Sequence, residues 1–241
     1  MHEYMNQLVD GLKSEGIECS PAQADLLLKH LDLVIAKNKE LNLTRIDSIE
    51  DGIYLHVIDS LLCTRKLSRV QGIESVLDLG TGGGFPGIPL AIMLDTKVTL
   101  LDSIQKKVSA VDGFIHALGL DDRCSAKCSR SEDLARTAPE SFDLVVSRAV
   151  AQLNVLIEYA SPLLTTGGML CALKANLSDD ELATASAAAE ICGMTIEYQE
   201  SFNLPQDYGH REILFIRKTG ASSIPLPRRN GMATKRPLGI R

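Results

Sequence analysis

The chain has 241 residues, 45% of them apolar, with 25 Lys and Arg against 31 Asp and Glu for a formal net charge of −6, so it can bury a full core as one domain with an extension. No apolar run approaches the roughly 20 residues of a membrane span, so no span is expected. The amino terminus has neither a basic start nor an apolar centre, and no secretory signal is expected either. Positions 1 to about 70 read as helical. Leu26, Leu27, Leu31, Val34 and Ile35 fall on one helical stripe with Pro21 near its start. A second helix is predicted over 49–67, capped by Ser48 or Asp47. From Ser75 the pattern becomes alternating strands and helices. Strands are predicted over 76–79, 97–101, 123–127, 142–147 and 169–174, each followed by a segment of helical length. That order describes an α/β protein with a parallel sheet and helices on both faces. Two late apolar segments, 195–199 and 211–217, suit an antiparallel pair at one edge.

The segment from Val76 to Gly87, Val-Leu-Asp-Leu-Gly-Thr-Gly-Gly-Gly-Phe-Pro-Gly, carries the most chemistry. Its glycines let the backbone approach a ligand where a Cβ would collide, and Pro86 suits the first position of the next helix. The free N–H groups of that helix would face whatever the loop holds. Asp102 ends the next apolar run, 20 positions after Gly82, where a carboxylate can accept from two ribose hydroxyls. The spacing of Gly82, Gly84, Gly87 and Asp102 also fits a dinucleotide fingerprint. Asp78 and Gly80 decide against it, because an acid at the strand end repels a pyrophosphate and suits a ligand with an ammonium and a sulfonium. S-adenosylmethionine has both. The motif resembles that of class I S-adenosylmethionine-dependent methyltransferases, which implies a Rossmann-like, mostly parallel seven-stranded sheet with an N-terminal helical extension. In such sheets the ligand rim lies at the strands' carboxyl ends. There the sequence places Ser103, Lys106 and Lys107, then Ser129 to Glu132, then Ser147-Arg148-Ala149, then Lys174.

Charge is segregated. From Arg217 to Arg241 there are seven basic and no acidic residues, leaving 18 basic against 31 acidic over positions 1–216. A cationic tail on an acidic body fits contact with a polyanion, or a solvated terminus. Cys19, Cys63, Cys124, Cys128, Cys171 and Cys192 match no zinc spacing and read as free thiols of a reducing cytoplasm. His2, His30, His116 and His210 form no ligand spacing, so no metal is expected. His56 lies among Val57, Ile58 and Leu61 and reads as a packed residue rather than a general base.

Further segments recur together in one family: Asn38-Lys39-Glu40-Leu41-Asn42-Leu43-Thr44, His56-Val57-Ile58-Asp59-Ser60-Leu61, Gly82 to Pro89, Leu101-Asp102-Ser103, Val146-Ser147-Arg148-Ala149, and the tail segments from Pro227 to Gly231 and Lys235 to Leu238. Over nearly the whole chain they resemble the bacterial small-subunit (16S) ribosomal RNA guanine-N7 methyltransferases, also called glucose-inhibited division protein B. Two departures are Lys37, where the family usually has tryptophan, and Leu55, where it usually has arginine. The first trades a packing contact for a solvated stem, and the second removes a phosphate contact. The resemblance implies methylation of a guanine in the 530 loop of small-subunit rRNA, with the RNA or the ribosomal subunit as partner; a cytoplasmic protein is expected, and a monomer, although the residues leave the oligomeric state open. Composition and element order divide the chain into three parts: a helical extension over 1–70, a methyltransferase domain over 71–218 and a basic tail over 219–241.

The cofactor residues expected are Asp78, Gly80, Gly82, Gly84, Phe85, Asp102, Ser131, Glu132 and Arg148. Phe85 would cover an apolar face of the ligand and Glu132 would accept from an amine. Arg148 could hold the cofactor carboxylate, an RNA phosphate or the guanine acceptor edge. Lys174, Arg228, Arg229, Lys235 and Arg236 are the RNA-binding candidates. Methyl transfer needs an aligned lone pair and little else, and guanine N7 has no proton to lose, so no general base is expected. A small-molecule methyltransferase, an NAD-dependent oxidoreductase and a non-catalytic RNA-binding protein are the alternatives. The N-terminal helices could be a packing cap or part of an RNA platform.

Overall fold

The apolar runs after position 74 become the strands of one sheet in the computed structural model, which describes residues 2–67 and 72–240, the side chain of His2 excepted. The expected boundary between positions 70 and 71, and Arg241 of the tail, lie outside the described residues. The strands are β1 (Ser75–Leu79), β2 (Lys97–Asp102), β3 (Cys124–Cys128), β4 (Phe142–Arg148), β5 (Leu164–Lys174), β6 (Met194–Asn203) and β7 (His210–Lys218). Their order is β3-β2-β1-β4-β5-β7-β6. The first five are parallel, and β7 runs antiparallel to both β5 and β6. The late antiparallel pair therefore exists, with its second member turned inward against β5. β5 starts five residues before the apolar run that announces it, because a register break lets Leu164 pair with Phe142 before Met169 pairs with Leu144.

The pleat sends alternate side chains into two apolar layers. Val76, Leu100, Leu144, Cys171 and Phe215 face one layer, shared with α6 (Gly87–Met93), α7 (Gln105–Leu118) and the N-terminal helices. Leu77, Leu101, Val145, Leu170 and Leu214 face the other, shared with α8 (Ser131–Thr137), α9 (Leu153–Ala160) and α10 (Asp179–Ile191). Central strands buried on both faces read as continuous apolar runs, which is why they are legible in the sequence. Among the described residues no helix is long and apolar enough to cross a membrane.

At the N-terminus, α1 (His2–Ser14) precedes α2 (Pro21–Leu41), which opens on a reciprocal cap. Gln23 N–H donates to Ser20 Oγ at 3.2 Å, and Ser20 N–H donates to Gln23 Oε1 at 2.9 Å. The second predicted helix is not continuous. Ser48, rather than Asp47, caps α3 (Ile49–Gly52), and a π-helical segment (Ile53–Ile58) leads into α4 (Asp59–Leu61) and α5 (Thr64–Leu67). Gly52 lets α3 close on α2, since a Cβ there would stand 2.6 Å from Leu31 Cδ1. The widened π turn shifts the side-chain phase and buries both Tyr54 and His56. Leu8, Leu27, Leu31 and Val57 are fully buried in the same layer as Leu100, so the extension packs as part of the core; each such leucine contributes about 2 kcal/mol. The chain after β7 lies against α8, α9 and α10 and includes the short α11 (Met232–Lys235).

Candidate functional site

The chain leaves β1 through a tight turn. Gly80 and Thr81 both donate their N–H groups to the Leu101 carbonyl at 2.9 Å, which ties the loop to the end of β2. Gly80 has φ +80°, and a Cβ there would collide with Val150 from the turn after β4. Asp78 lies beneath the loop, fully buried. Its Oδ2 accepts from Thr81 Oγ1 at 2.6 Å and from Gly87 N–H at 2.8 Å, while Oδ1 has no hydrogen-bond partner. Burial pushes this carboxyl up to about 6, against the pull of the two donors. Gly87 is required for the contact, because a Cβ there would stand 2.6 Å from Asp78 Oδ2.

Above the loop is a cleft of about 360 Å3, walled by the ends of β1, β2 and β3 and by the turn after β4. Gly80 and Gly82 form its floor. A Cβ on Gly82 would meet nothing closer than the Gly80 carbonyl at 4.0 Å and would project into open space. Asp102 accepts from Gly82 N–H at 3.2 Å through Oδ2 and from Ile104 N–H at 2.9 Å through Oδ1, so each oxygen keeps a lone pair for another donor. Ser131 and Glu132, at the start of α8, form the far wall with Lys107 and Arg130. Ser131 Oγ donates to Glu132 Oε2 at 3.2 Å, and Gly231 N–H of the tail donates to Glu132 Oε1 at 2.8 Å. Thr234 of the tail and Tyr159 of α9 also line the cleft.

A second cluster lies behind the loop, toward the N-terminal helices. Phe85 stacks on His56, parallel to it at 4.5 Å, and meets the tilted ring of His30 at 4.4 Å. His30 donates from Nε2 to the Gly83 carbonyl at 3.0 Å, and its Nδ1 is buried without a partner. Burial pushes His30 down to about 3. Burial, then the charge of Arg148, does the same to His56. Arg148 lies over Phe85 and donates to the carbonyls of Leu55 and His56, to Asp59 Oδ2 at 3.0 Å and to His56 Nδ1 at 3.0 Å. Asp59 Oδ1 accepts from Arg211 Nε at 2.8 Å, which draws the first turn of β7 into the same corner.

Of the nine residues expected at a cofactor, Gly80, Gly82, Asp102, Ser131 and Glu132 line the cleft. Asp78, Gly84, Phe85 and Arg148 do not. Asp78 points down into the start of α6, and Gly84 faces Ile88 and His30. Phe85 is packed among His30, His56 and Arg148, and Arg148 spends its donors on the π segment. The N–H of Gly87 at the start of α6 likewise goes to Asp78 and not toward a ligand. Among the RNA candidates, Lys174 is mostly buried, paired with Glu181 at 2.7 Å and bonded to the Ala151 carbonyl. Arg228 is clamped on the buried Glu158, with Nε to Oε1 at 2.7 Å. Neither is free to meet a phosphate. Arg229, Lys235 and Arg236 are exposed, and the last two follow directly on Thr234, which lines the cleft. Tyr159 and Thr234 also line the cleft and His30 meets the loop from behind, and no local spacing announces them because each arrives through the tertiary fold.

A family model described as rRNA small subunit methyltransferase G (GidB) matches residues 23–208. The chain is 39% identical over 225 residues to the ribosomal RNA small subunit methyltransferase G of Desulfitobacterium hafniense (strain Y51), covering 92% of each. It is 42% identical over 212 residues to the protein of the same name from Gloeobacter violaceus, covering 86% of this chain and 83% of that one. Among solved structures, a geranyl diphosphate methyltransferase in complex with SAM aligns over 73% of this chain and 92% of its own, with a TM-score of 0.54 at 10% identity. TYW2 of P. horikoshii in complex with MeSAdo aligns over 61% and 58%, with a TM-score of 0.50 at 16% identity. At those identities the likeness is one of fold.

Proposed function

Because the chain belongs to the rRNA small subunit methyltransferase G (GidB) family, we propose that it methylates N7 of a guanine in the 530 loop of small-subunit rRNA, with S-adenosylmethionine as donor. The observation that carries the cofactor assignment is the cleft itself. Its floor is a cradle that a Cβ on Gly82 would fill, with Asp102 on one side and Ser131 and Glu132 on the other. Asp102 would accept from the ribose hydroxyls, and Ser131 and Glu132 would hold the adenine edge. Bound there, the cofactor supplies an electrophilic methyl group on a sulfonium. The protein's part is to orient and exclude water. Guanine N7 has an in-plane lone pair and no proton to lose, so transfer asks for alignment and not for a base. His56 is consistent with this, since it is neutral, hydrogen-bonded at both nitrogens and stacked, and so has no site from which to take a proton.

Exposed Arg229, Lys235 and Arg236 of the tail, and Arg130 and Lys107 on the cleft wall, would meet RNA phosphates. The extension over 1–70, the methyltransferase core over 71–218 and the tail over 219–241 all serve this one reaction. Incubation with methyl-labelled S-adenosylmethionine and small ribosomal subunits, or their naked RNA, tests the reading. Label recovered as 7-methylguanine in the RNA is the expected result. Label in another base, or absent from RNA and present in a metabolite fraction, would overturn it.

A further inference from the structure

The cofactor cleft takes only part of the sheet's carboxyl edge, over β1, β2, β3 and the turn after β4. That leaves the rest of the edge, where β4 ends and the antiparallel β7 begins, for a substrate base. Arg148 and Arg211 stand in this corner, both held on Asp59, and His56 lies across it. The nitrogen of His56 remote from Arg148 meets Thr44 at 2.9 Å.

We propose that Thr44 is a specificity-determining residue, donating its hydroxyl proton to the O6 acceptor of the target guanine beside the N7 that is methylated. The inference rests on the guanine-N7 reading above. Hydrogen-bond polarity fixes the direction. A guanidinium only donates, so His56 Nδ1, 3.0 Å from Arg148 Nη2, must accept. The single proton of the neutral imidazole then sits on Nε2 and is donated to Thr44 Oγ1. Ile46 N–H donates to the same oxygen at 3.1 Å. With both lone pairs taken, the hydroxyl can only donate, and no acceptor among the described residues takes its proton. The backbone is fixed as well: Asn42 ends α2 in the left-handed region at φ 48°, and Thr44 N–H donates to Asn38 Oδ1 at 2.8 Å. Thr44 is half-buried, so part of the residue is open to an incoming ligand.

Guanine offers two acceptors on that edge, N7 and O6, whereas adenine offers N7 beside an N6 amino donor. A hydroxyl free to rotate would serve either base. Held by His56 and Ile46, it accepts guanine and sets proton against proton with adenine.

The test compares wild type, Thr44→Val and Thr44→Ser on small-subunit RNA, and wild type and Thr44→Val on RNA ligated around a synthetic segment with 2-aminopurine, which keeps N7 and lacks O6, at the methylated position. Thr44→Val should lose roughly tenfold in kcat/KM for RNA, the loss of one hydrogen bond, with S-adenosylmethionine affinity unchanged, and Thr44→Ser should retain most activity. Wild type should lose a similar factor on 2-aminopurine, and Thr44→Val should lose nothing further. Equal wild-type rates on guanine and 2-aminopurine would overturn the inference without needing any variant to fold. Full activity of Thr44→Val would also overturn it. In either case, label found at N7 leaves the reaction assignment standing, while label absent from guanine N7 overturns that assignment and this inference together.

Discussion

Replacing Asp78 by asparagine removes a buried charge while nearly keeping its shape, and the consequence depends on pH. In the wild type, burial raises this carboxyl from 3.8 to about 6. Between those values the folded chain holds a proton that the unfolded chain has released. The stability this contributes is complete below 3.8 and is lost as pH rises through about 6. At about 1.4 kcal/mol per tenfold, the interval is worth about 3 kcal/mol. Total stability hides the effect, because His30 and His56, pushed from 6.5 down to about 3, act in the opposite sense. The difference between the two proteins isolates it. Asp78→Asn has no charge to lose, so its stability relative to wild type should rise by about 3 kcal/mol from about pH 4 to about pH 7.5, as read by urea unfolding. A difference independent of pH would refute the placement of Asp78 beneath the loop, since a solvated carboxylate facing the cleft would titrate near its ordinary value.

Gly87→Ala should cost about 3 kcal/mol and weaken S-adenosylmethionine binding, because the added Cβ falls 2.6 Å from Asp78 Oδ2 and 2.8 Å from its Cβ; an unchanged urea midpoint would count against the close contact. His30 and His56 are held neutral, so their contribution is present above pH 6.5 and lost as pH falls toward about 3. His30→Gln, which keeps a donor for the Gly83 carbonyl, should show a shallower loss of stability between pH 7 and pH 4, and a slope equal to wild type would argue that His30 titrates normally. Arg228→Gln should destabilise by about 3–5 kcal/mol by stranding buried Glu158. Replacing Arg229, Lys235 and Arg236 together by glutamine should leave the unfolding midpoint nearly unmoved yet lower the salt slope of RNA binding by about 2. Equal effects of the two changes on stability would contradict the separation of clamp from contact.

The parts of this site that the sequence discloses are those set by short-range geometry. Gly80, Gly82 and Asp102 lie where spacing places them, because a strand end, a glycine turn and the next strand end form a rigid local unit. Orientation across the sheet is less legible. Asp78 shares its face with Val76, and α6 covers that face, so the period-two pleat already pointed the carboxylate at the start of α6 and away from the cleft. The attraction of an acid for a cationic ligand obscured that signal. Lys174 and Glu181 are only seven positions apart, yet their pairing depends on how α10 returns over β5. Arg148 with Asp59 and Arg228 with Glu158 are 89 and 70 positions apart, and no pattern of residue types announces such partners.

On the proposed reading, the two halves of the reaction would meet at Phe85. On one side its loop forms the cradle floor, and on the other its ring is clasped by His30 from α2 and His56 from the π segment. His56 also orients Thr44 and accepts from Arg148, so one imidazole touches the glycine loop, the end of β4 and the corner proposed for the substrate base. A shift of the N-terminal helices would move the glycine loop and the base corner together. That coupling gives a physical reason for the extension to share its core with the sheet: methyl transfer depends on alignment, and alignment requires that donor and acceptor be held by the same rigid body.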